Sequence, residues 1–348
     1  MQFAKKLLRW HEKQGRKDLP WQKDITPYRV WVSEIMLQQT QVSTVIRYYD
    51  KFLQRFPNLA TLASASLDDV FHLWAGLGYY ARAKNLHRAA QLIATEKNGV
   101  FPTNFATVLS LPGIGRSTAG AILAISDNQM HPILDGNVKR VLSRYFAVKG
   151  LITDPKILEK LWHFSETVTP KKQTAAYTQA IMDLGATLCT RTKPNCLACP
   201  LKTDCRAYAL DQVSHFPKTQ SAVKKLIPTR STQVMLILHQ RQSAILLEKR
   251  PVRGIWGGLW SLPECPVQTD LKTFCQETFG LKILIKETWD PLRHTFTHFH
   301  LNIHPVVCQL KPEPKNFSLE KKYQWHSRHE THKLGLPAPI KRLLEKIK

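Results

Sequence analysis

Four cysteines, Cys189, Cys196, Cys199 and Cys205, fall in a C-x6-C-x2-C-x5-C array. Thiolates packed at that density point to a metal, and the irregular spacers suit one [4Fe–4S] cluster. A zinc ion held by four cysteines is the competing reading, because the same sulfur set accepts either. Two carboxylates stand out for their surroundings. Glu34 has Val30, Trp31, Leu37 and Gln38 one turn away, so it is either salt-bridged or held desolvated with its pKa raised. A raised pKa suits a general acid near neutral pH; a buried structural glutamate is the plain alternative. Asp135 stands where the N-cap of an apolar-periodic helix belongs, a role worth about 1 kcal/mol. Finally, Leu111-Pro112-Gly113-Ile114-Gly115-Arg116-Ser117-Thr118-Ala119 puts two glycines in a tight turn before a helix. Bare amides at a helix N-terminus bind anions, which is the logic of a helix–hairpin–helix clamp on a phosphate backbone; an ordinary helical corner is the bland reading.

Helices must hold these residues. From residue 3 to about 209, apolar residues recur at three- and four-residue spacing, in stretches 30–49, 67–74, 81–95, 117–125, 138–146 and 174–188. Glycines and prolines punctuate them, among them Pro57, Gly76, Gly78 and Pro102. Thr26 and Pro27 read as the cap and first residue of the helix carrying Glu34. Residues 1–10 pattern as an amphipathic helix with charges inside its apolar positions, not as a signal peptide. Around Pro217 and Pro228 the chain turns polar and basic, which predicts an interdomain linker over 212–231. Beyond it the period becomes two. Residues 232–239 and 244–249 predict a hairpin, and 294–307 predicts a further strand with Phe296, His298, His300 and Asn302 alternating. The expected layout is an all-α domain over 1–211 and an α+β domain over 232–348.

The chain has 348 residues, room for two cores, and a formal charge of +24 from 50 Lys+Arg against 26 Asp+Glu. That excess points to a polyanionic partner, most simply nucleic acid. No stretch approaches the ~20 apolar residues of a membrane span. Cys265, Cys275 and Cys308 are scattered and odd in number, which argues against a disulfide framework and for a reducing cytosol.

Taken together, the glycine turn, the aspartate some twenty residues on and the cysteine array resemble the helix–hairpin–helix glycosylase superfamily with an iron–sulfur cluster. Within it, residues 31–41, Trp31-Val32-Ser33-Glu34-Ile35-Met36-Leu37-Gln38-Gln39-Thr40-Gln41, and Gly76-Leu77-Gly78-Tyr79-Tyr80-Ala81-Arg82 are similar to the adenine DNA glycosylase (MutY) family, which removes adenine mispaired with 8-oxoguanine. The likeness runs over nearly the whole chain and favours the [4Fe–4S] cluster over zinc. It implies that Glu34 protonates adenine N7, that Asp135 stabilises the oxocarbenium-like sugar, and that Asn137 orients the site. Ser117 matches the position where lyase members carry a Schiff-base lysine, so simple hydrolysis is implied. Gln39 and Tyr79 match residues that wedge into the duplex, and Trp21 and Gln179 match residues lining the adenine pocket. Gly113 and Gly115 would hold the DNA backbone, with Arg191 and Lys193 on phosphates from inside the first cysteine loop.

The second domain resembles the Nudix fold, on Arg253-Gly254-Ile255-Trp256-Gly257-Gly258-Leu259-Trp260. A working Nudix hydrolase needs a glutamate-rich helix, and the matching stretch, residues 273–280, lacks most of those acids, so pyrophosphate hydrolysis is not expected. Phe296-Thr297-His298 takes the place of the family's Phe-Ser-His loop that reads 8-oxoguanine, between two strands. The expected partner is double-stranded DNA with 8-oxoguanine:A or G:A mispairs, bound by a monomer on nucleoid DNA in the bacterial cytoplasm, away from membranes. The rivals are an endonuclease III-like glycosylase–lyase, against which Ser117 and the long C-terminal domain argue, and a non-catalytic iron–sulfur DNA-binding protein, against which Glu34 and Asp135 argue.

Overall fold

A computed structural model describes residues 2–220, 227–311 and 319–347. They form two compact units: Met1–Ser64 with Asn85–Ala222, and Ala65–Lys84 with Val223–Lys348. Among the described residues no helix is long and apolar enough to cross a membrane.

The helices run in chain order as α1 (Gln2–Gln14), α2 (Pro27–Leu37), α3 (Val42–Arg55), α4 (Leu59–Ser64), α5 (Leu67–Trp74), α6 (Ala81–Glu96), α7 (Phe105–Ser110), α8 (Arg116–Asp127), α9 (Gly136–Tyr145), α10 (Pro155–Val168), α11 (Thr174–Thr187) and α12 (Arg206–Ala209). In the first unit α2 lies against α8, and α11 against α1, α8 and α9. Helix α2 is the central one, burying Val30, Trp31, Val32, Ser33, Ile35 and Met36. Its start follows the sequence: Thr26 Oγ1 accepts the Arg29 N–H at 3.2 Å, and Pro27 takes the first turn, where a missing N–H costs nothing.

The single helix expected over 30–49 is two helices. Chain direction changes at Gln38–Gln41, where Gln39 adopts a left-handed φ of 55° and the Thr40 N–H closes a turn on the Leu37 carbonyl at 3.2 Å. Helix α3 then restarts and buries Val45, Tyr49 and Phe52. Apolar spacing carried the prediction across a polar Gln-Gln-Thr-Gln run that has no face to bury.

The second unit is a mixed sheet. Its strands are β1 (Thr229–His239), β2 (Ala244–Lys249), β3 (Trp260–Ser261), β4 (Glu264–Cys265), β5 (Ile283–Thr288), β6 (Leu292–Thr295), β7 (His300–Leu310) and β8 (Tyr323–Ser327), with helices α13 (Leu271–Phe279) and α14 (Ala338–Glu345). The central order is β3-β2-β1-β7-β5; β4 pairs with β1, β6 with β7 and β8 with β2. Strands β1 and β7 are parallel, in register from Thr229–His300 to Leu238–Gln309. Alternation along β1 serves two cores, as the period of a strand requires. Val234 and Leu236 join Ile340 and Leu343 of α14, while Met235 and Ile237 join Leu271, Cys275 and Phe279 of α13.

Three expectations change here. Strand β1 starts at Thr229, inside the stretch read as linker, and residues 221–226 of that stretch lie outside the described residues. The strand expected over 294–307 is a hairpin, since β6 and β7 pair antiparallel from Leu292–Ile303 to Thr295–His300 and leave 296–299 as its tip. Segment Ala65–Lys84, read with the first domain, packs in the second unit. Phe71 of α5 lies against Gly258 and Gly335, and the Asp68 carboxylate takes the Lys249 ammonium and, at 3.3 Å, the Trp260 indole N–H. Helical periodicity reports that a face is buried, not which core receives it.

Candidate active site and thiol pocket

The first unit contains a cavity of about 320 Å³ whose lining includes Trp21, Glu34, Ser117, Asp135, Asn137 and Gln179. Residues far apart in sequence thus reach one space from α2, α8, α9 and α11. Burial, and after it the negative charge of Asp135, raises the Glu34 carboxyl to about 8 from its ordinary 4.5. Asp135 is also raised by burial, but the backbone N–H groups of Val138 and Asn137, the Arg140 charge and the Asn137 side chain oppose the rise. Two carboxyls in one cavity therefore meet different surroundings.

Asp135 serves as the helix cap that the spacing suggested: its Oδ1 accepts the Val138 N–H at 2.7 Å. Capping and cavity lining coexist, because Oδ2 lies 3.4 Å from the Asn137 amide nitrogen. Asn137 is held in turn, its Oδ1 accepting from Arg140 at 2.7 Å. Arg140 also donates to the carbonyls of Gly185 at 2.6 Å and Cys189 at 2.7 Å. Gly185 permits that approach, since a Cβ there would stand 2.6 Å from the Asn137 Cβ. Ser117 Oγ accepts the Leu134 N–H at 2.9 Å, tying the start of α8 to the segment that leads to Asp135.

Behind the cavity, sequence reading missed a polar wall. Buried Asp183 accepts from the Arg16 side chain at 2.8 Å and its backbone N–H at 2.9 Å, with His11 at 3.4 Å. Burial alone would raise its carboxyl, yet His11 and Arg16 bring it below the ordinary value. Gln22 bonds the Gln179 side chain at 3.0 Å. An acid one turn after Gln179 on a largely buried helix was the available signal.

The glycine turn takes the expected form. Gly113 has φ 80°, and a Cβ there would meet Asn85 at 2.8 Å. Gly115 caps α8 without a side chain, leaving the first amides of that helix free of a side-chain cap. Gln39 and Tyr79 are exposed and share left-handed backbone, φ 55° and 50°. They belong to different units. The Tyr79 loop is braced by Arg82, which donates to the Gly78 carbonyl at 3.1 Å and lies 5.6 Å from the Tyr79 ring centre.

Cys189, Cys196, Cys199 and Cys205 are free thiols lining one pocket. Burial, only partly offset by the Leu201 N–H, pushes Cys199 up to about 11, and burial raises Cys196 and Cys205 as well. Neighbouring thiols add to each rise, so thiolates at these three positions need a strong cation beside them. Arg144, itself buried, donates to Cys189 Sγ at 3.3 Å and to the carbonyls of Thr190 at 2.7 Å and Phe216 at 2.9 Å. Backbone N–H groups of Leu201, Ala207 and Tyr208 reach the sulfurs of Cys199 and Cys205. Arg191 and Lys193 project from this loop and are exposed.

In the second unit, the Phe296 N–H closes the β6–β7 tip on the Phe299 carbonyl at 2.9 Å. Phe296 stacks on Phe299 with centroids 4.6 Å apart and packs 5.3 Å from Trp256. It braces the tip, and Thr297 and His298 are the exposed residues there. The stretch matched to the Nudix acids lies on α13, where Glu277 is exposed.

The HhH-GPD superfamily of base excision DNA repair proteins matches residues 32–167, and a NUDIX domain matches residues 233–346. A thermostable thymine-DNA glycosylase shares 25% identity and a TM-score of 0.54 over 60% of this chain and 95% of that one. Endonuclease III in a non-covalent DNA complex shares the fold, at 18% identity and a TM-score of 0.51 over 60% of this chain and 94% of its own. Fold and cavity thus define a helix–hairpin–helix base-excision repair protein joined to a Nudix-like domain. An adenine DNA glycosylase of Buchnera aphidicola subsp. Acyrthosiphon pisum is 41% identical over 99% of this chain and 97% of its own length, and that of Homo sapiens is 32% identical over 98% and 73%. The chain belongs to the adenine DNA glycosylase family, whose members are DNA N-glycosylases.

Proposed function

We propose that this chain hydrolyses the N-glycosidic bond of adenine opposite 8-oxoguanine, and of adenine opposite guanine, leaving an abasic site. The observation that carries the reading is the carboxyl pair, with Glu34 raised to about 8 and so protonated at neutral pH beside Asp135. Adenine leaves the stack, at a cost of a few kcal/mol, and enters the cavity. Glu34 gives its proton to N7, which turns the base into a neutral leaving group as the bond between the sugar and N9 lengthens. Asp135, whose rise on burial is opposed by Val138, Asn137 and Arg140, stabilises as a carboxylate the positive charge that develops on the sugar. Water then adds to the sugar and loses a proton. Glu34, now deprotonated, is placed to accept it. Ser117 carries no amine at the lyase position, in keeping with hydrolysis without a Schiff base.

The four cysteines would hold a [4Fe–4S] cluster: their thiols line one pocket, backbone N–H groups reach two of them and Arg144 bonds a third, while among the described residues no group of three His, Cys, Asp or Glu is set to hold a single metal ion. The cluster would cross-link residues 189–205 and hold Arg191 and Lys193 for phosphate contact. Arg140 joins that loop to Asn137, so the thiol pocket and the cavity share one support. The amides of α8 and the Gly113–Gly115 turn would take a backbone phosphate, with Gln39 and Tyr79 entering the duplex. Thr297 and His298 would contact 8-oxoguanine from the β6–β7 tip, which the Phe296–Phe299 stack keeps rigid. The chain acts as a monomer on nucleoid DNA.

Release of adenine from duplexes carrying A opposite 8-oxoguanine, G or T tests the reading. Fastest release opposite 8-oxoguanine, then G, is expected; equal rates on all three would overturn the role of Thr297 and His298.

A further inference from the structure

Gln22 does not line the cavity, yet it makes contacts that determine what the cavity offers. Its Oε1 accepts the Leu19 N–H at 3.1 Å. Its Nε2 donates to the Arg16 carbonyl at 2.9 Å and to Gln179 Oε1 at 3.0 Å. All three contacts agree on one amide orientation. Exchanging oxygen and nitrogen would set carbonyl against carbonyl at Arg16 and N–H against N–H at Leu19. The backbone of residues 16–22 therefore fixes Gln22, and Gln22 fixes Gln179. Gln179 cannot turn its amide over without setting N–H against N–H at Gln22, so its NH2 is fixed on the other side, as a donor in the cavity that it lines.

We propose that Gln22 is a specificity-determining positioning residue, locking Gln179 as a hydrogen-bond donor to N1 of the extruded adenine. Adenine and guanine both accept at N3 and N7, and only adenine accepts at N1. Guanine carries an N–H at N1, and a locked NH2 facing it leaves two donors opposed, which binding sites penalise heavily. The lock matters because a free glutamine amide could turn over and accept either edge. This inference rests on the adenine glycosylase reading above.

The test is a double-mutant cycle in the full chain, reading single-turnover adenine release from duplex DNA with A opposite 8-oxoguanine, with thermal melting of each protein. Gln22→Met is expected to slow release about tenfold, and less than about twofold when Gln179 is already Met, since the effect passes through that residue. Gln22→Glu keeps the Leu19 contact but turns the Gln179 amide around; it serves if Gln22→Met melts far below the unaltered chain, and it too must lose its effect in the Gln179→Met background. Equal losses in both backgrounds, or no loss in a well-folded Gln22→Met protein, overturn the assignment. Failure of the unaltered chain to release adenine would instead overturn the glycosylase reading, and this inference with it.

Discussion

Two glutamates of this chain stand on helices, Glu34 on one buried nearly all round and Glu277 on one that buries a single face. Glu34 on α2 faces a cavity shared with Asp135, and its carboxyl is raised to about 8. Glu277 on α13 is exposed, while Cys275 and Phe279 of the same helix fill the core beneath the sheet. A carboxyl becomes an acid at neutral pH by losing water and gaining a like charge nearby. In the second unit burial also raises Glu248, with Glu264 and Glu320 adding to the rise, but the Arg250 and Lys322 charges oppose it. The second unit keeps a layered sheet and offers a surface tip in place of a charged cavity.

The largest expected effect breaks the comparison on the side of Glu34. Glu34→Gln should slow single-turnover base release by about 10³-fold, the loss of a positioned acid, while Glu277→Gln stays within about twofold. The same change should make the protein more stable. A carboxyl whose folded pKa exceeds its unfolded value loses stability as pH rises from about 4.5 to about 8. Glu34→Gln removes that loss, so its melting temperature should exceed that of the unaltered chain by about 2 °C or more at pH 8 and match it in acid.

Asp135→Asn comes next. Asparagine caps a helix as well as aspartate does, so melting should barely move, while base release falls about 10²-fold for want of the charge. A large drop in melting temperature with a small drop in rate would reduce Asp135 to a cap. Smaller again is Gly185→Ala, whose methyl would stand 2.6 Å from the Asn137 Cβ. Displacing Asn137 from Asp135 should slow release about tenfold. The least effect belongs to the second unit. His298→Ala should lower the preference for 8-oxoguanine:A over G:A about fivefold, the worth of one hydrogen bond, and leave the G:A rate unchanged.

What could be read in the sequence was local. The apolar neighbours of Glu34, the Thr26–Pro27 start of its helix, the cap position of Asp135 and the crowding of four cysteines all lie within a few residues. The support of the site was not local: Gln22 and Gln179 are separated by 157 positions, Arg16 and Asp183 by 167. No periodicity reports such pairs. Breaks were illegible for a related reason. The polar run at 38–41 interrupts a pattern that continues on both sides, and only packing reveals that the chain turns there; at 296–299 the alternation runs on through the tip, and the family resemblance alone marked a loop.

The rate of base release against pH tests the central claim, a proton held by Glu34 at neutral pH, most directly. Single-turnover release from DNA with A opposite 8-oxoguanine, measured between about pH 5 and 9.5, should fall as pH passes about 8 and approach tenfold per unit above it, with a second fall in acid as Asp135 takes up a proton. A rate that stays level or rises through pH 8 would contradict the assignment of Glu34 as the acid.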